Sequence, residues 1–247
     1  MSMGKKGKKV IKAIDRITDT ILLVFFILCL ALGSYIAYDS YYVYSKSSSD
    51  RMIGYKPSVT EGDVADTSGL RELSDDVVGW LTIDNTNIDY PIMQGSSNSE
   101  YLNIDPYGDF SLSGSIFIDS ANSGDLSDTY NLIYGHHMEH GYMFGALDDY
   151  RDVSFCNSHT TGRIITIDGR IIELELYAVI NALTTDGIVF DINYANRDIE
   201  GLVVYVNLNE IYLRDVRSDD SSIYALSTCT SSTSQERFVV LFCEVSG

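Results

Sequence analysis

The sequence predicts a mainly β domain, either a barrel or a sandwich, that follows one N-terminal transmembrane helix. Two observations lead to this prediction. The first is an uncharged apolar run over residues 21–38, interrupted by Gly33 and Ser34. The second is a series of short β-prone runs after residue 75, separated from one another by clusters of Asn, Asp, Ser and Gly. Many short strands with few helices are typical of closed or stacked β-sheets.

The apolar run determines the predicted topology. Extended to residues 18–40, it reaches the ~20 residues that a bilayer-spanning helix needs. Residues 1–17 are rich in Lys and Arg, and the positive-inside rule assigns such a segment to the cytoplasm. The run is longer than the core of a typical signal peptide, so we expect an uncleaved signal anchor, with a cleaved signal peptide as the alternative. In both cases the rest of the chain is expected outside the cell.

The exported part of the chain is expected to comprise a linker and one domain. Most of residues 41–66 is polar and without periodicity, so we interpret this segment as a linker that separates the domain from the membrane. Residues 67–247 then form the folded domain.

Local patterns predict several elements of this domain. Residues 70–78 are predicted to form a short amphipathic helix, entered after Thr67-Ser68. The clearest β signal spans residues 163–177, where two β-prone runs flank Asp168-Gly169, the dipeptide preferred in two-residue type I′ hairpin turns. Residues 198–213 fit either a helix or a strand. Further strands are predicted at residues 80–83, 88–93, 115–118 and 238–243.

Charge and cysteine spacing exclude two function classes. The formal net charge is −18 at pH 7, and the basic residues are concentrated before the apolar run. The exported body would therefore repel phosphate backbones, and nucleic-acid binding is not expected. The four cysteines form no CxxC pair or other metal-ligand spacing, so no metal site is predicted.

Three separated residues supply a nucleophile, a base and a cation. Cys229 follows Leu226-Ser227-Thr228, His136 follows Tyr134-Gly135, and Arg237 begins the last predicted strand. A free thiol with a pKa near ~8.5 is mostly protonated at neutral pH, so it needs a base such as an imidazole. A guanidinium can stabilise charge on a carbonyl oxygen or bind a substrate backbone. The hydroxyl residues around Cys229 indicate a strand end that opens to solvent.

Other residues of the same types receive structural interpretations. Cys156 and Cys243 are expected to be buried small apolar side chains, either free or joined in a disulfide. His140 and His159 lie in polar stretches and are expected at the surface.

Together, these motifs resemble the class B sortases. The His, L-x-T-C and Arg signature of sortases matches His136, Leu226–Cys229 and Arg237, in the same order. The resemblance extends from about residue 70 to the C-terminus. Its class B character is carried by DDVVGWLTIDNTNIDYPIMQ (75–94), GSIFID (114–119) and NLIYGHHMEHGYMFGAL (131–147).

The resemblance implies a fold and a set of roles. The fold would be a sortase-type closed β-barrel with a few peripheral helices, so part of residues 190–213 would be helical. By matching position, Cys229 is the nucleophile and His136 the acid/base, while Arg237 stabilises the oxyanion or binds the sorting peptide. Ser227 and Thr228 are assigned to substrate binding.

Two positions depart from the signature or fall outside it. Ala225 stands where the family usually has Thr before L-x-T-C, and we interpret this as a packing change. His137 matches no catalytic position and is expected to be structural.

The implied enzyme is a sortase-type cysteine transpeptidase that acts on peptide bonds. Cys229 would attack the Thr carbonyl in a C-terminal sorting motif of a secreted protein, release the tail and form a thioacyl-enzyme. An amine of a peptidoglycan precursor would then resolve this intermediate, without a cofactor. The alternatives are a secreted cysteine peptidase that uses water as acceptor and a catalytically inactive membrane-tethered binding module.

Overall fold

The computed structural model describes residues 5–59, 65–229 and 235–245. The helices in this part of the chain are α1 (Lys5–Ser47), α2 (Ser68–Leu73), α3 (Val153–Ser158), α4 (Gly187–Phe190), α5 (Ile192–Arg197) and α6 (Ile199–Asn209). The strands are β1 (Ser58–Val59), β2 (Ala65–Asp66), β3 (Val77–Ile83), β4 (Asp89–Met93), β5 (Ile116–Ile118), β6 (Tyr130–His136), β7 (Thr161–Thr166), β8 (Ile171–Leu183), β9 (Glu210–Leu213), β10 (Ile223–Cys229) and β11 (Glu236–Glu244). Short 3-10 helices lie at Ser49–Arg51, Ile53–Tyr55, Glu100–Leu102, Glu139–Gly141 and Gly145–Arg151.

Helix α1 contains the apolar run, and the large apolar side chains of this run are exposed. By length and composition, the segment from Ile11 to Ser47 is able to cross a membrane. The predicted N-terminal apolar helix is therefore confirmed. A signal peptide has the same composition, so the uncleaved anchor and its orientation stay predictions.

The chain divides into two compact units, residues 1–45 and residues 46–247. Residues 46–59, which are part of the predicted linker, belong to the second unit. Met52 is 3% exposed and packs in the core of that unit.

Eight strands of the second unit form a closed barrel. Their order is β11, β10, β6, β5, β4, β3, β7 and β8, and β8 pairs with β11 to complete the ring. Two neighbouring pairs, β10 with β6 and β4 with β5, are parallel, and the other pairs are antiparallel. The ninth strand of this sheet, β9, pairs with β8, and β1 and β2 form a separate two-stranded sheet. The predicted closed β-barrel is confirmed, and closure leaves the ring without an open edge.

Large aromatic side chains are buried on both faces of the barrel wall, and their polar atoms have hydrogen-bond partners. Trp80 Nε1 donates to Asp89 Oδ1 at 2.7 Å. The buried Tyr130 and Tyr224 hydroxyls donate to the carbonyls of Val189 and Leu126. Because each polar atom is satisfied, these rings bury apolar area without leaving an unpaired donor.

The predicted helix over residues 70–78 is wrong in its second half. Helix α2 ends at Leu73, and Val77 begins β3. Leu70 and Leu73 are buried on one helix face, as the amphipathic pattern requires. Beyond them, Val77 pairs with Met93 in β4, and β3 also pairs with β7 from Gly79 onward. Tertiary strand pairing therefore overrides the local helical pattern.

The hairpin of β7 and β8 is confirmed, but its predicted two-residue turn is wrong. Thr166 N–H donates to the Arg170 carbonyl and Gly169 N–H to the Thr166 carbonyl, each at 2.9 Å. These bonds enclose a three-residue loop, 167–169, in which Gly169 takes the left-handed conformation at φ +90°. The Ile167 N–H donates to the Val78 carbonyl in β3, so it does not pair within the hairpin.

The region that fitted either a helix or a strand contains both. Helix α6 runs from Ile199 to Asn209, and β9 follows directly from Glu210 to Leu213. Helices α4 and α5 precede them, so the helical content that the resemblance implied before the nucleophile strand is confirmed. The strands predicted at 80–83, 88–93, 115–118 and 238–243 are also confirmed, to within three residues at each end.

Candidate active site

The site is built where two parallel barrel strands end side by side. His136 is the last residue of β6 and Cys229 the last residue of β10. The parallel register aligns the Cα atoms of these two residues, after Thr228 with Gly135 and Ser227 with Tyr134. Two residues that are 93 positions apart in sequence therefore become neighbours because their strands pair.

Gly135 fits the packing beneath this strand end. A Cβ at this position would overlap the side chains of Ile116 and Phe144. Both side chains are buried in the core, so neither has open space to move into. A glycine before His136 therefore allows the end of β6 to lie directly on the core.

The His136 ring is held by a backbone carbonyl. Its Nε2 lies 2.7 Å from the Leu102 oxygen, and the residue is half-buried. A carbonyl oxygen can only accept a hydrogen bond, so Nε2 carries the proton. In the neutral ring Nδ1 is then the nitrogen with a free lone pair.

Arg237 lies at the start of β11, next to β10. The pairing of β10 with β11 runs as far as Ser227 and Val239, and Arg237 lies two residues before Val239 on the side of Cys229. Arg237 Nη1 donates to the Thr228 carbonyl at 3.2 Å, and the guanidinium lies 5.8 Å from the centroid of the Phe190 ring. The cation is therefore held at the same strand end as His136.

Ser227 and Thr228 face opposite sides of β10, as strand geometry dictates. Ser227 is fully buried, and among the described residues its Oγ has no hydrogen-bond partner. The Thr228 side chain is 2% exposed, and its carbonyl is the group that contacts Arg237.

A cleft with a volume of about 780 Å³ opens over this strand end. His136 and Arg237 line it together with the apolar or aromatic side chains of Phe117, Tyr134 and Phe190. A mostly apolar cleft with a few polar groups at one end is typical of a binding site for an extended organic ligand.

The two other cysteines of the second unit, Cys156 and Cys243, are unlike reactive thiols. Cys156 and Cys243 are both free and buried, so they do not form a disulfide. Burial raises the pKa of the Cys243 thiol to about 11 and also raises the pKa of Cys156. Both thiols therefore stay protonated at neutral pH, as expected of structural cysteines.

The other histidines have partners away from His136. His137 Nε2 lies 2.6 Å from Asp148 Oδ2. His140 is exposed as predicted, but the prediction for His159 is wrong. His159 is half-buried and stacks on Phe155, with 3.7 Å between ring centroids.

Sequence patterns missed the contribution of Leu102. Its carbonyl orients His136, yet every residue carries a carbonyl, so no side-chain type marks the position. Within residues 5–59, 65–229 and 235–245, no three His, Cys, Asp or Glu side chains are grouped as ligands of a metal ion.

Comparison with known proteins gives consistent relatives, although no family model matches the sequence. Sortase B of Listeria monocytogenes serovar 1/2a is 34% identical over 181 residues, which cover 71% of this chain and 72% of the relative. The solved structure of a Streptococcus pyogenes class B sortase involved in pilus biogenesis is 35% identical, with a TM-score of 0.63. That match covers 70% of this chain and 95% of the solved one. Sortase B from Bacillus anthracis is 26% identical with a TM-score of 0.70, over 85% of this chain and 100% of the solved chain.

Proposed function

The chain belongs to the class B sortases, which are cysteine transpeptidases, and we propose that Cys229 is its nucleophile and His136 its acid/base. The observation that carries this assignment is the register of β6 and β10, which aligns the Cα atoms of the two residues at one end of the barrel. The buried, protonated state of Cys156 and Cys243 supports the choice of Cys229 over either of them.

In the first half-reaction, the Cys229 sulfur attacks the carbonyl carbon of the Thr residue in a sorting motif. The thiol proton passes to His136 Nδ1 as a carbon–sulfur bond forms, the peptide carbon–nitrogen bond breaks, and the leaving amine takes that proton from His136. Because the Leu102 carbonyl keeps the other nitrogen protonated, Nδ1 is the atom that exchanges this proton. The product is a thioester between Cys229 and the new carboxyl end.

In the second half-reaction, an amine attacks the thioester carbon while His136 accepts the amine proton. The new amide bond forms, and the thiol leaves with its proton restored. Arg237, held by the Thr228 carbonyl, stabilises the negative oxygen of each tetrahedral intermediate or binds the backbone of the sorting peptide. Ser227 and Thr228 contribute to substrate binding at the strand end, Thr228 through the carbonyl that orients Arg237.

The proposed substrates are secreted proteins with a C-terminal sorting motif, and the proposed acceptor is a peptidoglycan precursor amine. Helix α1 would anchor the enzyme in the cell membrane, with residues 1–17 in the cytoplasm and the barrel outside. The basic residues before the apolar run support this orientation.

Product analysis of peptide cleavage tests the transfer reaction. The full-length protein, in detergent, is given peptides with NPxTx-like or xPxTG-like motifs, with and without a diamine-containing wall peptide. We expect cleavage after Thr and a new amide product when the amine is present, and neither with Cys229→Ala. Hydrolysis alone at saturating amine would instead indicate a peptidase that uses water.

A further inference from the structure

The loop between residues 107 and 113 has an inverted pattern of burial. Phe110 is 69% exposed and Leu112 57% exposed, whereas Ser111 and Ser113 between and after them are buried. The two serine hydroxyls bond to each other at 2.8 Å. The loop therefore turns its polar side chains inward and its apolar side chains outward, the reverse of an ordinary surface loop.

This loop is bound to residues 46–51, the first residues of the second unit. Lys46 Nζ donates to the Phe110 carbonyl at 3.0 Å. The Tyr107 hydroxyl donates to the Arg51 carbonyl at 2.8 Å, and the Arg51 guanidinium lies 5.0 Å from the centroid of the Tyr107 ring. Three contacts therefore fix the exposed apolar pair relative to residues 46–51.

A buried carboxylate strengthens this attachment. Asp105 is 1% exposed, and its Oδ2 lies 3.8 Å from Lys46 Nζ and 3.6 Å from Arg51 Nη1. Its Oδ1 accepts the backbone N–H groups of Tyr107 and Asp109 at the base of the loop. The same side chain thus holds both the cations and the loop.

Chain length sets how far this loop is from the proposed membrane. Lys46 lies six residues beyond residue 40, the end of the predicted membrane-spanning segment. Six residues span at most about 20 Å, even when the chain is fully extended. The headgroup region beyond the hydrocarbon core is roughly 5–8 Å thick on each side of a bilayer. Lys46, and the Phe110 carbonyl bonded to it, are therefore tethered within reach of that region.

We propose that Phe110 and Leu112 form a lipid-contacting surface that enters the interfacial region of the bilayer. Exposed aromatic and aliphatic side chains are the kind that partition into this region. Leu112 also lines the cleft over His136, so the contact would hold the cleft close to the membrane surface. The proposal rests on the membrane anchoring proposed above.

Quenching of tryptophan fluorescence by brominated lipid tests the contact. The full-length chain is reconstituted in phosphatidylcholine vesicles with or without brominated acyl chains. Phe110→Trp reports the loop, and Leu208→Trp, at a 79% exposed position on α6, is the matched control. Leu28→Trp reports insertion of the apolar helix. The native Trp80 is 1% exposed, and the wild-type signal is subtracted as background.

We expect brominated lipid to lower the emission of both Phe110→Trp and Leu28→Trp about twofold or more, because both indoles contact lipid. Leu208→Trp should be unaffected. Quenching of Leu28→Trp with none of Phe110→Trp would overturn the lipid contact while leaving the anchor intact. A blue-shifted but unquenched Phe110→Trp would show that protein covers the loop, and equal quenching of Leu208→Trp would show non-specific adhesion. Either result would overturn the proposal. An unquenched Leu28→Trp would overturn the anchor and this contact together.

Discussion

At the residue scale, the pair His136 and His137 shows how strand geometry separates two identical side chains. They are consecutive, so extended backbone directs them differently. His136 contacts the Leu102 carbonyl, whereas His137 contacts the Asp148 carboxylate. His136, the proposed acid/base, therefore has its Nε2 fixed by the neutral Leu102 carbonyl, which leaves Nδ1 for proton transfer.

The two histidines should differ strongly in their effect on catalysis. His136→Ala should lower kcat/KM by about 10²- to 10⁴-fold, because a proton moves in each half-reaction. His137→Ala should lower it by about tenfold, through disturbed positioning alone. Peptide cleavage measured on both variants, after their melting temperatures are shown to match, checks this ranking. The reverse ranking would assign the acid/base role to His137.

Arg237→Lys should lower kcat/KM by about 10²- to 10³-fold, because an ammonium group does not reproduce the planar fork of the guanidinium. The matched control is Arg214→Lys, whose guanidinium pairs with Glu175 at 3.0 Å, and its activity should be nearly unchanged. Separate values of kcat and KM distinguish the two proposed roles: an oxyanion role lowers kcat, and peptide binding raises KM. Wild-type kinetics in Arg237→Lys would remove this residue from the mechanism.

The candidate site residues could be named from sequence because their types and order match a known signature. Cys229 and Arg237 are separated by the polar residues 230–236, so they differ visibly in sequence from cysteines and arginines in other contexts. The Leu102 carbonyl could not be predicted, because it lies 34 residues from His136 and is a backbone group. The burial of Ser227 also depends on strand register rather than on local sequence.

At the element scale, one buried carboxylate, Asp105, holds residues 46–51 at the start of the second unit. Asp105→Asn should lower the free energy of unfolding by about 1–3 kcal/mol, because the negative charge between Lys46 and Arg51 is lost in a buried environment. Asp109→Asn is the matched control, since its exposed side chain should be nearly neutral to substitution. Denaturant unfolding in detergent, followed by Trp80 fluorescence, measures both. Equal stability of the two variants would show that the ion pairs contribute nothing.

The same scale shows where local patterns fail. Existence of the β7–β8 hairpin could be predicted, but its loop length depends on the bond from Ile167 to Val78 in a third strand. In the same way, α2 is shorter than its pattern because Val77 pairs with Met93. Both errors arise where a non-local strand competes with a local preference.

At the scale of the whole molecule, barrel closure depends on pairing between β8 and β11, which are far apart in the chain. Periodicity reports single strands and gives no information on which strands pair, so the residues alone left a barrel and a sandwich open. The resemblance supplied the barrel, and the structure confirms it.

Orientation in the membrane is tested by labelling Cys229 on intact cells stripped of wall. A membrane-impermeant maleimide should label the wild-type protein from outside and give no label on Cys229→Ala, because Cys156 and Cys243 are buried and Cys29 lies in the apolar run proposed to cross the membrane. Mass spectrometry of the isolated protein reads the result. Labelling that begins only after lysis would reverse the orientation, and protein recovered from the medium would favour a cleaved signal peptide.

The central claim, that Cys229 forms the thioacyl intermediate, is tested most directly by mass analysis of the acid-quenched enzyme. Full-length protein is mixed with a sorting peptide in the absence of amine, quenched over a time course and mapped by proteolysis. We predict a mass increase equal to the peptide fragment ending at Thr, located on Cys229, with neither adduct nor cleavage in Cys229→Ala. An adduct on another residue, or cleavage by Cys229→Ala at the wild-type rate, would contradict the claim.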